Sequence, residues 1–260
     1  MNTSKFSTSK CTNEKITTVK KALVTSVMLG VVGTASAHSG GIQAEKNNAK
    51  NASFDIVHTK ISTKGNEATF HIAVSDKAGS VKPTPTGKLA GSDVFSYVWP
   101  TSLDSYSVGF EHDAGILALA VTSHPDFDDT PLYDENGDGI NGNDGNVWHS
   151  HWVVLQPNEA CGQGALGVVD IPEDVQPRLP NTWPGLPILI DSPDLSPEFN
   201  DDTVEVKVNF DKIQDVKLAN FDGVTSGLRV NQSAHSPLLC VVDVFDVASG
   251  DLSLPGKVNQ

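Results

Sequence analysis

The run DENGDGINGNDGNVWHSHW, residues 134 to 152, sets two kinds of metal-binding chemistry side by side. In its first half Asp134, Asn136 and Asp138 put oxygen donors two residues apart. Gly139 then permits a sharp turn and Ile140 offers a backbone carbonyl. This is the spacing of an EF-hand-type calcium loop, in which alternate side chains converge on a hard cation. The position of the usual bidentate glutamate is taken by Gly145, so Asp144, or Asp126, Asp128 and Asp129 of HPDFDDTP, would complete the shell. The ion-free alternative is a plain turn, which Asn, Gly and Asp favour on their own.

The second half, VWHSHWVVL, has strand character. Side chains alternate along a strand, so His149 and His151 face one way and Ser150 the other. Two imidazoles on one face can share an ion, with a third ligand drawn from His38, His58, His71, His112, His124 or His235. His71 lies mid-strand in TFHIAVS, on the face opposite Phe70, Ile72 and Val74, a rigid position that suits a ligand. Neutral imidazole suits copper and zinc but not calcium, so the two halves select different ions. Three imidazoles without a charged ligand favour Cu(I), whereas zinc asks for a further donor such as His124. Aromatic packing around strand histidines is the metal-free alternative.

Charge points the same way. No Lys or Arg occurs between Lys88 and Arg178, yet that segment carries fifteen Asp and Glu, seven of them from Asp126 to Asp144. Crowded carboxylates without basic partners repel unless water, protonation or a cation offsets them. The chain as a whole is acidic, with a net charge of −14, which disfavours nucleic acid and anionic membranes as partners and favours cations.

Residues 1–37 read as a signal peptide. Five lysines precede the apolar run ALVTSVMLGVVG, and Ala35-Ser36-Ala37 supplies a small-residue cleavage site. An exported chain (periplasmic, outer-surface or secreted) starting at His38 would keep two cysteines, Cys161 and Cys240, which in an oxidising compartment read first as one disulfide. A metal role for either is the lesser alternative.

Residues 38–51 are small and polar and read as a flexible lead-in, followed by a β-rich metal-binding domain over 52–260. SFDIVHTKIST and NEATFHIAVS alternate around a Lys64-Gly65-Asn66 turn. VFSYVW, GILALAVT, VWHSHWVVL, ALGVVDI, LPILIDS, TVEVKVNF and PLLCVVDVFDV read as further strands, with no convincing helical repeat. The expected class is all-β, a β-sandwich-like single domain with long loops and little helix.

SDVFSYVWPTSLDSYSVGF, GILALAVTSHPDFDDTPLYDENGDG and VWHSHWVVL together resemble the copper proteins of methanotrophs represented by MopE (its C-terminal part) and CorA, over roughly residues 65 to 155. The resemblance implies a copper site built from the HxH pair His149 and His151 and one earlier histidine, best matched by His71, with calcium bound separately. It also implies a tryptophan near the copper oxidised to kynurenine. EATFHIAVSD contains no tryptophan, and the nearest in sequence is Trp99, in a different segment.

The leading expectation is therefore an exported copper-binding protein for acquisition, storage or homeostasis, with copper and calcium as cofactors. Two rivals stand beside it: a copper oxygenase using an N-terminal histidine brace at His38, and a calcium-stabilised domain with structural histidines. No HExxH, GxSxG, CxxC or phosphate loop supports a hydrolase or nucleotide-binding reading.

Overall fold

The computed structural model describes residues 40–169, 190–191, 195–232 and 239–260; the leader, His38 and His235 lie outside them. The chain runs through β1 (Ile42–Gln43), β2 (Ile56–Lys64), β3 (Glu67–Val74), β4 (Asp93–Pro100), β5 (Ile116–Ser123), β6 (His149–Pro157) and β7 (Leu166–Val168). It continues with β8 (Ile190–Asp191), β9 (Glu198–Asn200), β10 (Thr203–Asn209), α1 (Ile213–Leu218), β11 (Asn220–Phe221), β12 (Val224–Val230), β13 (Leu239–Val247) and β14 (Gly256–Lys257). The class is all-β with little helix, as the strand patterns require.

One sheet has the order β1-β2-β3-β10-β9. Its alternation is clean: Ala68, Phe70, Ile72 and Val74 of β3 and Val204, Val206 and Val208 of β10 are buried. The β2–β3 turn falls at Gly65, whose φ of 64 lies in the left-handed region that glycine enters without a steric penalty. The second sheet runs β5-β4-β12-β13-β7-β6-β8, and β5 also pairs with β6. That extra pairing closes six strands into a barrel, so the expected sandwich is a sheet stacked on a barrel wall. The interface between them is aromatic. Phe70 of the sheet meets Trp99 and Trp152 of the barrel edge-on, each at 5.9 Å between ring centroids. Such pairs add specific geometry to a large apolar burial.

Two local readings need correction. Within the 38–51 lead-in, Ile42 and Gln43 are held as β1 against β2 and the Gly40 carbonyl lies 3.0 Å from His58 Nε2. β12, VTSGLRV, gave no strand signal because Thr225, Ser226 and Gly227 interrupt its apolar pattern, yet it sits between β4 and β13 in the barrel. Its pairing with β13 shifts register on both sides of the Ser226–Gly227 pair, the irregularity a weak central pattern allows. Cys161 and Cys240 form the expected disulfide, with Cα atoms 5.4 Å apart, tying the turn after β6 to β13.

Candidate metal centre

The closed barrel gives every second residue of its strands an inward face. On β6 that face carries His149, His151, Val153 and Leu155; Trp148, Trp152 and Val154 pack outward against the sheet. On the neighbouring β5 it carries Ala118, Ala120 and Thr122. His124 continues the same alternation one step past the strand end. Register sets Thr122 opposite His149 and Ala120 opposite His151, so His124 arrives beside the HxH pair. The fourth member is Asp129, from the loop that follows.

His124, Asp129, His149 and His151 are all buried, and one ligand atom from each lies within 4.8 Å of the others. Asp129 Oδ1 is 3.2 Å from His124 Nε2 and 3.0 Å from His149 Nε2. Its Oδ2 lies 3.4 Å from His151 Nε2, although no hydrogen bond forms there.

The loop is held in place by a close backbone approach. The His124 amide donates to the Gly145 carbonyl at 2.6 Å, and a Cβ on Gly145 would stand 1.7 Å from the Phe127 carbonyl oxygen. Only glycine fits. Phe127 in turn stacks on His124 at 4.2 Å between ring centroids.

Tautomers follow from the second partners. His124 Nδ1 lies 2.8 Å from the Phe127 carbonyl and His149 Nδ1 lies 2.6 Å from the Val147 carbonyl. A carbonyl can only accept, so each Nδ1 carries a proton and each Nε2 is turned inward, where a neutral ring offers a lone pair and a charged ring, the form Asp129 favours at His149, donates to that carboxylate. Those two Nε2 atoms face each other at 3.1 Å. Two lone pairs at that distance repel unless a proton or a cation lies between them. His151 adds a third ring whose nitrogens have no hydrogen-bond partner although both are buried.

Burial holds the His151 pKa down to about 3, against the pull of Asp129, so the ring is neutral. Burial also opposes protonation of His149, but the hydrogen bond and charge of Asp129 outweigh it and raise its pKa. Asp129 pays a burial penalty too, overridden by the histidines around it, and stays ionised well below the usual carboxylate range. Three imidazole donors and one carboxylate make a set that could hold a metal ion. The second partners on Nδ1 are those that fix a ligating histidine's orientation.

Of the residues singled out in sequence, His149 and His151 are brought together and His71 is not. β3 turns Phe70 and Ile72 toward the barrel, so His71 faces away from it on the outer side of the sheet. There its Nδ1 lies 2.8 Å from Glu205 Oε1, across the β3–β10 register, and its ring is 5.3 Å from His58. His124, one of the candidates for a third ligand and a further donor for zinc, is the third imidazole. Asp129, weighed for calcium, turns to the histidines. Trp99 is fully buried between sheet and barrel, its Nε1 donating to the His71 carbonyl at 3.2 Å.

The oxygen-rich loop is a nest of turns. Asp134 accepts from the Gly137, Asp138 and Gly139 amides, Asn136 from Asp138, and Asp138 from Ile140. Asp144 is fully buried; it accepts from the Glu135 amide at 2.9 Å, while its own amide donates to Asp128 at 3.0 Å. The loop is thereby stitched to the segment carrying Asp129. Glu135 Oε2 is buried without a hydrogen-bond partner.

Comparison with protein-family models, with curated proteins and with solved structures finds no match for this chain. No helix among the described residues is long and apolar enough to cross a membrane.

Proposed function

We propose that this is an exported copper-binding protein serving acquisition, storage or homeostasis, with copper held by His124, His149, His151 and Asp129. The observation that carries the reading is the convergence of three imidazoles and one carboxylate, two of the rings locked by backbone carbonyls with their Nε2 lone pairs inward. Nitrogen donors of this kind suit copper or zinc, and copper binds such sites most strongly among the divalent first-row ions. Asp129 also alters the preferred oxidation state. Without a charged ligand the site would favour Cu(I); with an ionised carboxylate it favours Cu(II). The basic-then-apolar leader and the Cys161–Cys240 disulfide support export.

Calcium at the 134–144 loop is the second part of the reading. It is supported by seven carboxylates from Asp126 to Asp144 without a basic residue among them, and by the orphaned Glu135 oxygen.

Copper stoichiometry and electron paramagnetic resonance on the protein exported by its native host test the proposal. One Cu(II) per chain with hyperfine coupling to three nitrogens is expected, lost in His149→Ala. Zinc alone at the site, or copper retained in His149→Ala, would overturn it, and the latter would move the copper to His38.

A further inference from the structure

We propose that the barrel lumen binds a small, largely apolar molecule of about the size of benzene, with a single oxygen or nitrogen donor turned toward the metal centre. The lumen part stands alone; the donor part rests on the metal reading above.

A barrel of six strands is narrow, and side chains normally fill such an interior. Here three of the lining positions are small: Ser96, Ala120 and Ser226 stand where larger residues would close the space. A cavity of about 120 Å³ remains, walled mainly by Val94, Val98, Val224, Leu228 and Leu239. Apolar cavities of roughly this size stay dry and accept benzene or xenon.

The cavity has two unlike ends. At one end His124, Asp129 and His151 form part of the wall, next to Thr122. Thr122 Oγ1 is buried without a hydrogen-bond partner, and its residue pairs across the strands with His149, at the level of the metal ligands. Buried hydroxyls are nearly always satisfied, so this one is poised for a group the cavity would admit. A donor atom at that end meets both Thr122 and the ion.

At the other end of β4 and β5 the wall includes Pro100 and Ile116, with Leu252 and Leu254 from the segment after β13. Ile116 and Leu252 are 37% and 40% exposed, which marks this end as the mouth. Leu252 and Leu254 have φ values of 58 and 52, a region large side chains rarely enter. Strain of that kind concentrates at ligand clamps. A closed apolar wall leading to a metal, with one open hydroxyl beside it, fits a phenol-like or azole-like molecule better than a bare ion.

Benzene and phenol are the probes. In the metal-free protein, benzene is expected to shift the methyl resonances of Val94, Val98 and Leu228, and Val98→Phe or Leu228→Phe to abolish the shift by filling the space. In the copper-loaded protein, phenol is expected to change the electron paramagnetic resonance spectrum and benzene to leave it unaltered. Thr122→Val should reduce the phenol effect without loss of copper. Unshifted methyls in the folded wild type would overturn the lumen site, whatever the variants do. A copper spectrum indifferent to phenol would overturn the donor end. Methyl shifts in a protein that fails to take copper would overturn the copper reading and leave the lumen site standing.

Discussion

His124 and His149 face each other through Nε2 at 3.1 Å, and each has its other ring nitrogen against a backbone carbonyl. Neither ring can turn its proton inward without leaving a carbonyl unsatisfied. The pair is therefore set to share a proton or a cation, with Asp129 and His151 beside it.

Removing any one of His124, His149, His151 or Asp129 should weaken copper binding by more than about tenfold, since even the loss of an outer-shell partner costs a metal site that much. His71→Ala should leave affinity unchanged, because that ring bonds Glu205 on the far side of the sheet. Isothermal titration of the five variants checks this. Copper should also leave as pH falls, starting at His149, whose raised pKa lets it take a proton first, while His151 resists protonation down to about 3.

Gly145→Ala is expected to impair copper binding although glycine contributes no ligand. Its Cβ would stand 1.7 Å from the Phe127 oxygen, so the turn carrying Asp129 must move. A melting temperature lowered together with copper affinity is the expected result. Normal affinity in Gly145→Ala would mean that the loop's position does not set the site.

A calcium chelator should lower the melting temperature of the wild type, since calcium would neutralise carboxylates that repel. Asp134→Ala combined with Asp138→Ala should abolish that sensitivity. Identical melting with and without calcium would leave the loop as a turn.

The legible part of the site was its strand part. Period-two alternation put His149 and His151 on one face, and the same rule carried through Ala118, Ala120 and Thr122 reaches His124. The signal was present but ended at the edge of the apolar run. Asp129 was hidden because its position comes from a turn held by Gly145, and no local pattern encodes that contact. His71 misled for a different reason. Alternation says which face of a strand a residue occupies, but not that β3 and β6 lie in different sheets with a core between their polar faces. The closure of the barrel was hidden likewise, because β12 carries serine and glycine where a strand signal needs apolar residues.

Tyr97 should make the fold sensitive to alkali. Burial pushes its hydroxyl up to about 12, with a smaller opposing effect from the Gly79 amide. Its folded pKa is thus raised above the unfolded value near 10. The stability it contributes is full below about pH 10 and is lost as pH rises toward 12. Tyrosinate absorbance should show one of the three tyrosines ionising only with unfolding. Tyr97→Phe should remove that component.

The central claim is the placement of the ion, and anomalous diffraction at the copper edge from copper-loaded crystals tests it most directly. One strong peak within bonding distance of Nε2 of His124, His149 and His151 and of an Asp129 oxygen is the expected result. A peak at His71 and His58, at His38, or no ordered peak in the barrel would contradict it.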